Sequence, residues 1–349
     1  MTEPLLRIQD LTVRAQRRKG PASAVVDGVS FSLNRGETTC VVGESGSGKS
    51  VTARAIMGLT RLEPALSVSG EIWFDGKPLH QMDNPSVARL RGRDIAMVFQ
   101  EPMSSLDPLF TVGSQLTESL RRRHGKLPNQ NLRTRLLALL SDVGIPDGER
   151  VLRSRPHELS GGMCQRVMIA AALAGEPDLL IADEPTTALD VTVQAGILAL
   201  LERIRTERGM AVLLVTHDMG VAAEVADQVL VMYSGRIVEN ASADEVFESP
   251  RHPYTAGLLS CVPALEGEKP SVLPTIPGSM PSPEQRPPGC AFHPRCARSA
   301  DRCSTETPLQ TQKPGLEYAC WNPIEPTFLP MPTADVPTHT AQAPKEDAR

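Results

Sequence analysis

Gly43-Glu44-Ser45-Gly46-Ser47-Gly48-Lys49-Ser50 decides how this chain is read. The octapeptide fills every fixed position of the phosphate-cradling pattern G-x-x-x-x-G-K-[ST]. The β-branched run Thr38 to Val42 precedes it, and Val51-Thr52-Ala53-Arg54-Ala55-Ile56-Met57 follows as a helix that stops near Gly58. Strand, loop and helix are the context such a loop needs. Its glycines allow turns that a Cβ blocks and bring backbone N–H groups against phosphate oxygens. The helix start adds about half a positive charge. The residues assigned to nucleotide contact are Gly43, Glu44, Ser45, Gly46, Ser47, Gly48, Lys49, Ser50 and Val51. Lys49 is expected to reach the β- and γ-phosphates and Ser50 to ligate Mg²⁺.

The rest of the chain narrows the class. Its 349 residues suggest about two domains and an ample core. A net charge of −5 and 3% aromatic residues argue against a nucleic-acid partner, which calls for a basic excess or stacking platforms. No apolar run approaches the roughly 20 residues of a membrane helix. Met1-Thr2-Glu3-Pro4 does not open a secretory signal, so a cytosolic chain is expected, one still able to sit on a membrane protein. In a reducing compartment, seven cysteines point to metal or redox chemistry rather than to a disulfide framework.

Short strands over Leu5 to Val13, Ala24 to Leu33 and Glu71 to Phe74 predict a small antiparallel sheet beside the loop. The basic turn Arg17-Arg18-Lys19-Gly20 is read as a solvated loop or as an edge of the nucleotide site. From about Gln100 to Gly162, Leu132, Leu136, Leu137, Leu139, Leu140 and Val143 recur at helical spacing and predict a helical insert. Parallel-sheet grammar then returns. Leu179 to Ala182 and Ala211 to Thr216 are buried strands, with a helix from Val191 to Arg205 between them, and Gln228 to Met232 and Arg236 to Glu239 flank the turn Ser234-Gly235. Beyond about Pro250 lie more than half of the 31 prolines, which preclude long helices and central strands. A small stapled module is expected there, and a disordered tail from about Met331.

Asp183-Glu184 ends an apolar strand, where an aspartate can hold Mg²⁺ and the adjacent glutamate can orient the attacking water. Leu159-Ser160-Gly161-Gly162-Met163 lies ahead of that pair. With these elements the chain resembles the ATPase subunit of an ATP-binding cassette (ABC) transporter, over roughly Leu5 to Pro250. The resemblance implies an α/β P-loop NTPase core with an antiparallel β subdomain and a helical subdomain. In that family an LSGGQ motif binds the γ-phosphate of ATP held by the opposite subunit, so Ser160, Gly161 and Gly162 are its implied donors. Met163 stands where glutamine is usual, and Gln165 follows two residues later. Gln100 looks like the glutamine that senses Mg²⁺ and couples to the membrane subunit. Ala188-Leu189-Asp190 looks like the D-loop across the dimer interface, and His217 like the switch histidine at the γ-phosphate. The implied catalytic residues are Glu184, His217 and Gln100, and the implied Mg²⁺ site is Ser50, Gln100 and Asp183. The aromatic residue on which many cassettes stack adenine is missing from Arg18-Lys19-Gly20-Pro21.

Gln100-Glu101-Pro102-Met103-Ser104-Ser105-Leu106-Asp107-Pro108 is similar to the segment after that glutamine in oligopeptide and dipeptide importers. The methionine variant resembles one of their two ATPase subunits, the D-type. His252-Pro253-Tyr254 resembles the opening of their C-terminal extension. The implied organisation is 1–250 for the nucleotide-binding domain, with its helical subdomain at about 100–162. Residues 251–330 form the four-cysteine extension and 331–349 the disordered tail. Cys290, Cys296, Cys303 and Cys320 are separated by five, six and sixteen residues, without the close C-x₂₋₄-C pairs of a zinc ribbon. A [4Fe–4S] cluster, carried by some importer ATPases of this kind, is the expectation ahead of zinc and of unmetallated thiols. Arg295, Arg298 and Arg302 are placed to offset an anionic cluster. Cys40 is expected in the core and Cys164 at a plain helix position.

The assembly implied is a heterodimer with a paralogous cassette ATPase, docked on two integral membrane permeases at the cytoplasmic face of the inner membrane. An extracytoplasmic binding protein supplies peptide. Import of nickel or another small solute is the alternative, and a non-transport cassette ATPase a more distant one.

Overall fold

The computed structural model describes residues 3–16, 20–125, 128–186, 190–262 and 274–325. Strand β1 (Leu6–Ala15) pairs antiparallel with β2 (Ser23–Leu33), Leu6 opposite Leu33 and Ala15 opposite Ser23. Leu6, Ile8, Leu11 and Val13 point inward, and the register shifts around Asp10, whose φ is +51°. That irregularity lets apolar residues three apart share a face that simple alternation would deny them. Strand β3 (Thr38–Val42) delivers the phosphate loop, and α1 (Lys49–Ile56) leaves it. Strand β4 (Leu66–Phe74) returns to β1, and β5 (Lys77–Pro78) completes the antiparallel order β2-β1-β4-β5. The expected small sheet is present, with β4 starting earlier than its alternation suggests.

Helix α2 (Asn84–Leu90) and strand β6 (Ile95–Val98) lead into the insert of α3 (Pro102–Ser105), α4 (Val112–His124), α5 (Asn129–Asp142) and α6 (Gly148–Arg153). Thr111 and Asp147 cap α4 and α6 by accepting from the N–H groups of Ser114 and Arg150. The leucine stripe folds as read, with Leu136, Leu139 and Leu140 buried.

Helix α7 (Gly161–Leu173), strand β7 (Leu179–Asp183), helix α8 (Val191–Arg208), strand β8 (Ala211–Thr216), helix α9 (Met219–Val225) and strands β9 (Gln228–Tyr233) and β10 (Arg236–Ser242) build the core. After them come α10 (Ala243–Glu248), α11 (Pro253–Ser260), α12 (Asp301–Thr305), β11 (Thr311–Lys313) and β12 (Leu316–Tyr318). Among the described residues the main sheet runs β11-β12-β10-β9-β3-β8-β7-β6. It is parallel from β9 to β6 and antiparallel beyond β9.

All residues of β3, β7 and β8 are buried. Cys40 and Val42 face one apolar layer and Val41 the other, as expected of parallel strands covered on both sides. Each Val, Leu or Ile so placed contributes roughly 1.5–3 kcal/mol. The strand ends that carry Gly43, Glu184 and His217 are therefore held on a rigid base. Strands β11 and β12 extend this same sheet through pairing of β12 with β10, Glu239 opposite Tyr318. The proline-rich segment is thus continuous with the main sheet through backbone hydrogen bonds.

Candidate active site

Open α/β sheets bind ligands at the carboxyl ends of their parallel strands. Here β3 ends at the phosphate loop, β6 just before Gln100, β7 at Asp183 and β8 just before His217. The loop's backbone can exist only with glycine at its ends. Gly43 has φ +147°, and a Cβ there falls 2.2 Å from the Met232 carbonyl oxygen. Gly48 has φ +103°, and its Cβ falls 2.9 Å from the Val25 carbonyl oxygen. Ser45 and Gly46 are exposed at the loop tip, Val51 is half-buried, and the Ser47 hydroxyl is buried without a hydrogen-bond partner among the described residues.

Lys49 is buried, and its ammonium donates to the carbonyls of Gly43 at 2.7 Å and Glu44 at 2.9 Å. Burial lowers its pKa, against the opposing pull of Glu184, Asp183 and Glu44. Ser50 Oγ donates to Asp183 Oδ1 at 2.8 Å, so two of the three expected Mg²⁺ ligands meet across 133 residues of sequence, while the third, Gln100, turns its amide to Glu184. Burial raises the pKa of Asp183, the Ser50 hydrogen bond opposes that rise, and Glu184 reinforces it. Ser50 and Asp183 would hold a cation, whose charge would offset the same desolvation.

Glu184 stands between two of the expected partners. Gln100 Nε2 donates to its Oε2 at 3.0 Å, and His217 Nδ1 lies 3.3 Å from the same oxygen. Glu184 has φ +47°, a conformation costly for a non-glycine residue, and its N–H is tied to the Val215 carbonyl at 2.9 Å. Strain of this kind collects where a side chain must be aimed. Gln100, Asp183, Glu184 and His217 thus form one constellation with Ser50.

Ser160 caps α7, its hydroxyl accepting from the Met163 N–H at 3.3 Å, and Gly161 and Gly162 form the first turn. Gln165 does not stand in for the missing glutamine. It is 1% exposed, and its amide donates to the Pro185 carbonyl at 2.5 Å. Asp190 caps α8 through the Val193 N–H at 2.9 Å. Ala188 and Leu189 lie outside the described residues, as do Arg17, Arg18, Lys19 and the tail beyond 325.

Cys40 and Cys164 are buried, Cys40 in the core and Cys164 in α7 with its thiol against the Pro156 carbonyl. In the extension, burial raises the pKa of Cys290, Cys296 and Cys320, that of Cys320 to about 11. The charges of Cys290, Cys296 and Cys303 add to the rise at Cys320, and the Cys290 N–H donates to the Cys303 carbonyl at 2.8 Å. Among the described residues, however, no group of three or more His, Cys, Asp or Glu is arranged to hold a metal ion. The expected arginine roles also change. Arg298 bonds Asn322 and the Pro323 carbonyl, although its charge still lowers Cys296. Arg302 pairs with Glu306 and lies over the Trp321 ring, 3.5 Å from its centroid. Arg295 turns away from the cysteines to Glu44 of the phosphate loop, joined there by Tyr254. The sequence gives no signal for either contact, because their partners lie more than 200 positions away.

Comparison with known proteins agrees with this geometry. Residues 26–187 match the ABC transporter family, and residues 238–303 match the C-terminal region of oligopeptide/dipeptide transporters. The oligopeptide transport ATP-binding protein AppD of Bacillus subtilis is 46% identical over 318 residues, covering 91% of this chain and 96% of that protein. OppD of the same organism, also an oligopeptide transport ATP-binding protein, is 48% identical over 288 residues, covering 82% of this chain and 80% of its own length. Among solved structures, the dimeric ATP-binding cassette MJ0796 in a post-hydrolysis state with ADP and Pi superposes with a TM-score of 0.61 at 28% identity, over 68% of this chain and 98% of that one. The cbiO1 protein of Clostridium perfringens, part of an ABC transporter complex, gives 0.60 at 30% identity, over 71% and 92%. The chain belongs to the ATP-binding cassette ATPases of the oligopeptide/dipeptide transporter family.

Proposed function

We propose that the chain binds and hydrolyses ATP to energise peptide import, as one of two cassette ATPases beneath a pair of membrane permeases fed by an extracytoplasmic solute-binding protein. The observation that carries this reading is the 2.8 Å contact of Ser50 with Asp183, next to a Glu184 held between Gln100 and His217. Ser50 and Asp183 would hold Mg²⁺, which supplies charge neutralisation at the phosphates. Lys49 leaves its loop carbonyls for the β- and γ-phosphates. Glu184 accepts the proton of the attacking water, Gln100 aligns its carboxylate, and His217 faces the γ-phosphate. General-base action of this kind contributes typically 10²–10⁴-fold.

Each chain brings one phosphate loop and one Ser160-Gly161-Gly162 helix start, and these serve different nucleotides in a head-to-tail pair. The departure at Met163 supports a paralogous rather than identical partner. Phe99, Met103, Leu109 and Phe110 are exposed apolar residues around Gln100, as expected of a surface that docks on a permease. No helix among the described residues is long and apolar enough to cross a membrane, which fits a peripheral subunit on the cytoplasmic face. The test is ATP turnover by the purified chain alone and with its partner ATPase and permeases. Turnover should appear with assembly. A strictly monomeric chain that matches the complex contradicts the reading.

The finer reading of the extension is a [4Fe–4S] cluster on Cys290, Cys296, Cys303 and Cys320. Its support is the chemistry of the donor set, four cysteines within one small module, the ligand type and number that such clusters use. Iron and acid-labile sulfide in anaerobically purified protein are the expected result. Zinc, or no metal at all, replaces it.

A further inference from the structure

The extension reaches the nucleotide loop at a residue that the phosphate-binding pattern leaves free to vary. Glu44 is held at each of its polar groups. Its N–H donates to the Tyr254 hydroxyl at 2.9 Å. Its carboxylate receives Arg295 Nη1 at 3.0 and 3.1 Å. Its carbonyl receives Lys49 Nζ at 2.9 Å and the Ser47 N–H at 3.2 Å. Tyr254 is fully buried and packs edge-on to Tyr233, ring centroids 4.7 Å apart. The Arg295 side chain is 7% exposed, and its Nε donates to the Pro277 carbonyl at 2.8 Å. A second arginine of the module holds strand β2. Arg286 donates to Asp27 at 2.7 Å, to the Ala24 carbonyl at 2.9 Å and to Ser234 Oγ at 3.2 Å. It thereby fixes the stretch of β2 whose Val25 carbonyl abuts Gly48.

We propose that the C-terminal module is a brace for the phosphate loop, in which Arg295 and Tyr254 are positioning residues that hold Glu44 and neutralise its charge so that the loop accepts polyphosphate. The inference rests on the nucleotide reading of the loop. Its physical content is a sign. With Arg295 present, Glu44 is one half of a partly buried ion pair, its side chain 29% exposed. Without it, a partly buried carboxylate faces incoming phosphates and repels them, and the loop loses the tie that fixes Glu44. Neutralising Glu44 as well removes the repulsion.

The experiment measures the affinity of the full chain for ATP, together with its melting temperature. Arg295→Met should weaken ATP binding about 3- to 10-fold, the range of a modest coupling between sites. Arg295→Lys should recover part of that loss, and Arg295→Met combined with Glu44→Gln most of it. Tyr254→Phe, which loses only a hydroxyl, should weaken binding while the fold is kept, and it serves as the readout if Arg295→Met does not fold. Unchanged affinity in Arg295→Met and Tyr254→Phe, or equal losses in the single and double variants, overturns the brace. Lys49→Ala separates the two claims. If it weakens binding and the brace variants do not, the brace alone is wrong. If it too binds ATP normally, the loop assignment itself is wrong.

Discussion

The side-chain amide of Gln165 donates to the carbonyl of Pro185 at 2.5 Å, joining the helix that starts at Ser160 to the residue that follows Asp183-Glu184. Both groups are buried. The contact ties α7 to the segment carrying Glu184, the proposed base, so a movement of α7 would be felt there. Gln165→Leu keeps the volume and orphans the carbonyl, at a cost of about 1–3 kcal/mol. Urea denaturation should show that loss, and turnover of the assembled complex should fall more than ATP affinity. Full stability and turnover would mean that the contact does no structural work.

Gly43→Ala should abolish nucleotide binding. The added methyl needs the space of the Met232 carbonyl oxygen, 2.2 Å away, at a backbone angle that alanine rarely adopts. Titration with a fluorescent ATP analogue measures it. Gly161→Ala has open space for its methyl and is the control for a generic effect of losing glycine; its nucleotide affinity as an isolated chain should stay close to the parent's.

His252 gives the fold an acid sensitivity. It is fully buried, its Nδ1 accepts from the Tyr254 N–H at 3.0 Å, and burial lowers its pKa from the usual 6.5 to about 3. The folded ring stays neutral while the unfolded one takes up a proton, so the unfolded state binds more protons between those values. Stability must fall as pH drops below about 6.5, by about 2 kcal/mol between pH 7 and pH 5. Glu239, whose pKa burial raises, works in the opposite sense nearby. Comparison with His252→Asn isolates the histidine. The variant should lose about 2 kcal/mol less than the parent over that interval; equal losses contradict the assignment.

What the sequence made legible was whatever short-range sterics and spacing dictate. The loop from Gly43 to Ser50 is readable because only glycine fits its ends and only a strand and a helix can flank it. Asp183-Glu184 and His217 are readable because each closes an all-apolar strand. The leucine stripe of α5 is readable from its period. Strand order was not, since nothing in Thr38 to Val42 says that it runs between β8 and β9. Nor could Gln165 be seen as buried, because its partner lies 20 residues away in another element. The extension was the least legible part. Strands β11 and β12 have three residues each, too few to carry a period, and the pairing of β12 with β10 is a tertiary fact. Arg295 beside Cys296 suggested a cluster counter-charge, yet in the folded chain its guanidinium donates to Glu44, 251 residues away.

The proposed hydrolysis depends most on Glu184 acting as the base at a site built by Ser50 and Asp183. Glu184→Gln keeps the shape, the partner contacts and the strand, and removes only the proton acceptor. In the complex assembled with the partner ATPase and permeases, the variant should bind ATP as tightly as the parent and turn it over about 10²–10⁴ times more slowly. Turnover at the parental rate contradicts the assignment.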